Sequence, residues 1–223
     1  MSNLKQRARS YFLGALFWRS KYLPSFLKTV PQGGDVFDIG CGNDSPYIIK
    51  SARPDIRYVG LDVDDYHQEH NPQSYADEYV VVPPEGFFDA INDRANQFDA
   101  VISSHNLEHC SDPDGVVAAM ARALRPGGQL FLAFPAAATT GLPSRGGTLN
   151  FYDDTTHIRP PDYGRVLSLL QSEGMSINFA TERYRPSRWL LLGLVNEPRS
   201  RRRNMVLGGT WALYGFESVI WGT

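Results

Sequence analysis

Residues 36–50, VFDIGCGNDSPYIIK, constrain the fold more than any other stretch of the chain. An apolar run reaches Asp38, glycines follow at 40 and 42, and Ser45-Pro46 opens a segment of helical character. That is a strand, a tight turn and a helix in immediate succession, a unit that needs further strands beside it to be buried. RYVGLDV, EYVVV, FDAVISS and GQLFLAFP supply them, and helices are predicted between them over Pro46–Ala52, Gly86–Asn96 and Asp114–Leu124. The alternation predicts an α/β, Rossmann-like, doubly wound sheet. Ligands of such sheets sit outside the carboxyl ends of the strands, where Asp38, Asp62, Ser104 and His105 fall.

After Pro135 the character changes, and turn residues dominate as far as Tyr163. A stretch that long is expected to be a functional loop or lid. A helix over Pro161–Glu173 and two strands, MSINFA and YGFESVIWGT, complete the pattern. Between those strands, the apolar run Trp189–Val195 is bracketed by basic residues that culminate in Arg199–Arg203. The run is expected to fold over the sheet's end with the N-terminal helix and close the cofactor pocket, the favoured reading being a lid that shapes acceptor specificity, with a homodimer contact or docking on a membrane surface as alternatives. The domain plan is therefore an N-terminal amphipathic helical segment over 1–30, then one domain over 31–223 with insertions at about 136–160 and 182–210.

At 223 residues, 42% hydrophobic and 21% charged, the chain has enough apolar material for a sizeable core. Its net charge of −2 gives no general attraction to nucleic acid, so none is expected as a partner. Two cysteines, Cys41 and Cys110, lack the spacing of a metal site or a disulfide framework, so no metal is expected and a reducing, cytoplasmic setting is.

The glycine turn also says what its ligand is not. A pyrophosphate-binding turn places a third glycine after the first two, whereas here Asp44 follows, and its charge would repel phosphate. Asp44 or Ser45 reads instead as the cap of a helix with Pro46 in its first turn. Asp38 suits a cationic group on the ligand, and Asp62, twenty residues beyond Gly42, is placed to accept hydrogen bonds from ribose hydroxyls. A ribose and a cation without phosphate describe S-adenosylmethionine. Nicotinamide-dependent reduction is the competing reading, and Asp38 and Asp44 count against it.

VFDIGCGNDS, YVGLDV, the stretch FDAVISSHNLEHCSDPDGVVAAMARALRPGGQLFLAFP and FYDDTTHIRPPDYGRVLSLLQSEGM together resemble the class I S-adenosylmethionine-dependent methyltransferases, in the branch acting on small molecules and glycans. The resemblance covers roughly residues 34–180. It implies a seven-stranded sheet whose last strand, YGFESVIWGT, is inserted antiparallel. It also implies a donor site along Asp38, Gly40, Cys41, Gly42, Asp62, Val63, Glu85, Ser104 and His105. Adenine is expected near the end of the third strand, among Asp77, Pro84, Glu85 and Phe87.

Methyl transfer to a hydroxyl needs a proton acceptor, and His105 and His157 are the candidates. Asp153 and Asp154 could orient His157 or cap the following helix, and Glu108 and His109 are expected to fix the loop after the fourth strand. The acceptor is read as a small molecule or a glycan, methylated at oxygen. The polar, aromatic loop region resembles that of enzymes associated with surface polysaccharide synthesis. A methyltransferase-like protein that binds without catalysis remains an alternative.

Overall fold

A computed structural model describes residues 22–42, 44–65 and 68–223. The predicted N-terminal helix lies outside the described residues except for its last turns. The chain then runs α1 (Leu23–Phe26), β1 (Asp35–Ile39), α2 (Ser45–Ala52), β2 (Arg57–Asp62), β3 (Glu78–Val81), α3 (Phe87–Asn92), β4 (Phe98–Ser104), α4 (Pro113–Ala123), β5 (Leu124–Pro135), α5 (Tyr163–Ser172), β6 (Ile177–Thr181), α6 (Ser187–Arg203), α7 (Thr210–Tyr214) and β7 (Glu217–Gly222).

The strands form one seven-stranded sheet in the order β3-β2-β1-β4-β5-β7-β6. The first five are parallel, and β7 lies antiparallel between β5 and β6. Side chains alternate across a strand, so adjacent residues feed opposite faces. Phe37, Val101 and Leu132 join a core with Ile91, Val117, Met120 and Leu170 from α3, α4 and α5. Their neighbours Val36, Ile102 and Phe131 join the opposite core with Phe26, Ile49, Tyr58 and Trp221. The strand order reverses between β1 and β4, which puts the crevice for a ligand over their carboxyl ends.

The structure departs from the sequence reading at several points. The β5 ladder starts at Leu124 opposite Phe98, then resumes at Gln129 opposite Ala100, so Arg125–Gly128 bulge out within the strand. Arg125 holds that bulge through Asp35 at 2.6 Å and Asp99 at 2.8 Å. Helix α3 stops at Asn92, well before the predicted Asn96, which itself has a positive φ of 56°. Asp77 precedes β3 rather than ending it, and its carboxylate binds Lys50 and the Tyr58 amide, both at 2.8 Å. That end of the sheet is remote from the ligand crevice, so Asp77 leaves the group of adenine candidates.

The segment from 182 to 210 contains a 17-residue helix that the sequence reading left unassigned. Its Glu197 pairs with Arg145, only 4% exposed, through both carboxylate oxygens at 3.0 and 2.8 Å. Ser200 and Tyr214 complete the ring of partners around that guanidinium at 2.7 and 3.2 Å. Backbone bonds between Gly146 and Asn204, and between Val206 and Gly146, join the same two segments. Among the described residues, no helix is long and apolar enough to cross a membrane.

Candidate active site

The turn after β1 is built around Gly40, whose φ is +76°. The amides of Gly40 and Cys41 donate to the Leu61 carbonyl at 2.8 and 3.3 Å, folding the turn back on the tip of β2. Asp62 then clamps it: one carboxylate oxygen accepts from Gly42 N at 2.8 Å, the other from Val63 N at 2.7 Å. Asp38, Gly40, Cys41, Gly42, Asp62 and Val63 are thus gathered on two adjacent strand ends. Val82 N donates to the Asp62 carbonyl at 3.0 Å, which brings the turn carrying Glu85 to the same side. Glu85 itself is exposed.

Asp38 is buried, and its Oδ2 accepts from the Tyr58 and Ser45 hydroxyls, each at 2.7 Å. Burial raises its pKa to about 6, although both hydrogen bonds oppose the rise. Asp44 occupies the cap position of α2, but it is left-handed at φ 62° and makes no capping bond by its side chain. Its carboxylate receives the His70 amide at 2.9 Å instead, and Ser45 is spent on Asp38. Neither residue is therefore a side-chain cap. Three carboxylates, Asp38, Asp44 and Asp62, stand round this turn, an environment hostile to pyrophosphate and suited to a sulfonium, an ammonium and ribose hydroxyls. S-Adenosylmethionine fits these residues.

At the tip of β4, Ser104 and His105 lie beside the turn, and the His105 amide donates to the Ala133 carbonyl at 2.8 Å. A Cβ added to Gly40 would come within 2.6 Å of Asn106. The buried Asn106 Nδ2 has no hydrogen-bonding partner among the described residues. This donor next to the glycine turn is a further candidate ligand group at the tip of β4.

The two histidines meet at one carboxylate. His105, with φ 54°, places Nδ1 3.2 Å from Glu108 and Nε2 3.0 Å from Glu217. Burial alone would lower its pKa, but the bonds to the two glutamates outweigh that and lift it to about 10. His105 is accordingly a cation at neutral pH, without a lone pair to receive a proton. The folded pKa exceeds the ordinary 6.5, so the stabilisation it brings is full below pH 6.5 and is lost as pH rises through 10. The unfolding temperature is expected to fall across that window, and His105→Gln to flatten the profile. An unchanged slope in the variant would refute the assignment.

His157 is held differently. Its side chain is 4% exposed, Nδ1 lies 2.6 Å from the Phe151 carbonyl, and Nε2 lies 3.9 Å from Glu108 and 3.8 Å from Asp154. A carbonyl can only accept, so Nδ1 carries a proton, and in the neutral ring the lone pair is on Nε2. Asp153 serves other ends: its Oδ2 accepts the amides of Arg145, Leu149 and Asn150. Helix α5 is capped by Asp162, not by Asp153 or Asp154. His109 binds Thr156 and stacks edge-on against His157, with centroids 4.8 Å apart.

Glu217 went unnoticed in the sequence because it meets His105 from 112 residues away, at the start of the antiparallel strand. It also lines a cavity of about 460 Å³ with Tyr22, Ser104, Phe131, Trp189, Leu207 and Trp211 among its walls. The walls are mainly apolar, with Ser104 and Glu217 among their polar groups.

A family model described as a methyltransferase domain matches residues 7–176. A ubiquinone biosynthesis O-methyltransferase of Xanthomonas axonopodis pv. citri is 30% identical over 132 residues, which cover 51% of this chain and 47% of that protein. The 27-O-demethylrifamycin SV methyltransferase of Amycolatopsis mediterranei is 33% identical over 104 residues, covering 45% and 38%. The chain thus aligns with less than half the length of either curated relative. An S-adenosylmethionine-dependent methyltransferase from Mesorhizobium loti shares the fold with a TM-score of 0.61 at 16% identity, over 94% of this chain and 98% of that one. With the glycine turn clamped by Asp62 and β7 antiparallel in the sheet, the match over most of the chain places it in the methyltransferase-domain family, among the class I S-adenosylmethionine-dependent methyltransferases.

Proposed function

We propose that the protein transfers a methyl group from S-adenosylmethionine to an oxygen of a small molecule with an apolar body. The observation that carries this reading is the Asp62 clamp on the glycine turn, which fixes a carboxylate where ribose hydroxyls would bind. When bound, the donor supplies an electrophilic methyl on a sulfonium. Asp38, Gly40, Cys41, Gly42, Asp62, Val63 and Glu85 are the groups that would hold it, with Ser104 and His105 at the methionine end. The charge on that methyl disperses during transfer, so the protein's work is alignment and exclusion of water.

His157 is the candidate to receive the acceptor's proton at Nε2, with Glu108 and Asp154 at 3.9 and 3.8 Å to stabilise the imidazolium, although it is buried and lies outside the lining of the cavity, so an acceptor oxygen would have to reach it from there. His105 acts as a fixed cation that positions Glu108 and Glu217. The aromatic walls of the cavity favour a ring or alkyl acceptor over a glycan, and the oxygen acceptors in the names of both curated relatives support oxygen as the methylated atom.

Calorimetry with S-adenosylmethionine and with NADH, followed by transfer of labelled methyl to phenols, lipid-linked glycans and sugar nucleotides, tests the reading. Asp62→Ala is expected to weaken donor binding by about 1.5 to 3 kcal/mol through lost charge-assisted hydrogen bonds. Unchanged affinity in a folded variant would remove Asp62 from the donor site, and donor binding without transfer to any acceptor would favour a non-catalytic binding protein.

A further inference from the structure

We propose that the outward face of α6 docks on an anionic lipid surface. Leu191, Leu194 and Val195 are 62%, 54% and 75% exposed, and Leu192 beside them is 38% exposed. Spaced three and four residues apart, they form one stripe along the helix. Arg188 continues that stripe at its start, and Arg199 and Arg202 continue it at its end, with Arg203 alongside. All four arginines are exposed. None of them has an acidic partner among the described residues. The only acid in the helix, Glu197, is turned inward onto Arg145.

An apolar centre with cationic ends and no exposed acid is the pattern of a helix lying in the plane of a membrane interface. The leucines enter the acyl boundary, and the arginines reach back to anionic headgroups. Seventeen residues amount to about 25 Å of helix, enough for such a contact along its length. A second copy of the chain is a poorer occupant: pairing this face with itself in either direction brings arginine clusters together. The inner side of α6 explains why the leucines are not recruited to the core. Gly193 is packed so closely on the Gly209 backbone that an added Cβ would lie 2.3 Å from the Gly209 carbonyl oxygen, and Trp189 lines the cavity. The helix is thus seated by its glycine side, with the stripe directed away.

Co-sedimentation of the full chain with phosphatidylcholine vesicles, with and without phosphatidylglycerol, tests the proposal. Binding is expected only with the anionic lipid and should weaken as salt rises. Each arginine is expected to contribute a factor of about five. Leu191→Glu/Leu194→Glu/Val195→Glu and Arg199→Glu/Arg202→Glu/Arg203→Glu should each reduce partition at least about ten-fold. Both variants should retain donor affinity, since the altered side chains are exposed and outside the donor site. Vesicle binding equal on neutral and anionic lipid, binding unaffected by either variant, or no binding at all would overturn the proposal. Absence of vesicle binding, with a dimer in sedimentation velocity that the Leu191, Leu194 and Val195 substitutions dissolve, would assign the face to a second copy instead. None of these outcomes depends on methyl transfer.

Discussion

Gly40→Val is expected to abolish binding of S-adenosylmethionine, lowering affinity by more than about 100-fold. Two independent costs combine. The backbone at φ +76° lies in the left-handed region, where a β-branched residue is strongly disfavoured. The new Cβ would also stand 2.6 Å from the Asn106 Cβ, so the side chain that covers the turn must move. Either the turn changes shape and releases its bonds to Leu61 and Asp62, or Asn106 is displaced from the tip of β4. Both spoil the same surface. Isothermal calorimetry measures the loss, and a cooperative thermal transition shows that the sheet survives. Gly40→Ala tests the same two costs with less bulk. Wild-type affinity in the valine variant would place the donor elsewhere.

His157→Ala is expected to lower turnover by about 10² to 10⁴ with little change in donor affinity. The reason lies in tautomer control: the Phe151 carbonyl holds a proton on Nδ1, so in the neutral ring the lone pair is on Nε2, beside two carboxylates. Removing the ring would delete the proposed proton acceptor but leave the glycine turn and Asp62 untouched. His105→Ala is the contrasting variant. It frees Glu108 and Glu217 from their shared cation and should disturb donor and acceptor binding more evenly. Single-turnover transfer of labelled methyl separates the two. Wild-type turnover in His157→Ala would make the residue a loop support.

What the sequence made legible was local. Asp38, Gly40, Gly42 and Asp62 lie at strand ends, where chemistry follows directly from the position of a residue in an apolar run, and the structure gathers them at one turn. The sheet's order was accessible through the family resemblance, since the antiparallel insertion of β7 leaves no mark in the periodicity. Contacts made across the chain were not legible. Glu108 and Glu217 meet the two ring nitrogens of His105, one from three and one from 112 residues away, and no spacing announces that one histidine will sit between two glutamates. Helix α6 was missed for another reason: leucines at helical spacing were expected to cover something, but most of them face outward, and Pro198 lies within the helix. Asp44 misled as a capping residue because a left-handed backbone turns its carboxylate toward His70.

The buried Arg145–Glu197 pair has a consequence for how this side of the fold moves. It joins α6 to the loop that precedes Phe151, and Ser200 and Tyr214 close the ring around it, so moving one segment alone would leave a charge stranded without a partner. Local unfolding of these segments is therefore expected to be cooperative. The loop, α6 and α7 are expected to exchange their amides with solvent as one unit in hydrogen-exchange measurements, rather than by the fraying of any single helix. The parts of α6 and α7 that wall the cavity, Trp189, Trp211 and Ala212, would then move with that unit, whereas the Tyr22–Pro24 wall comes from a separate part of the chain.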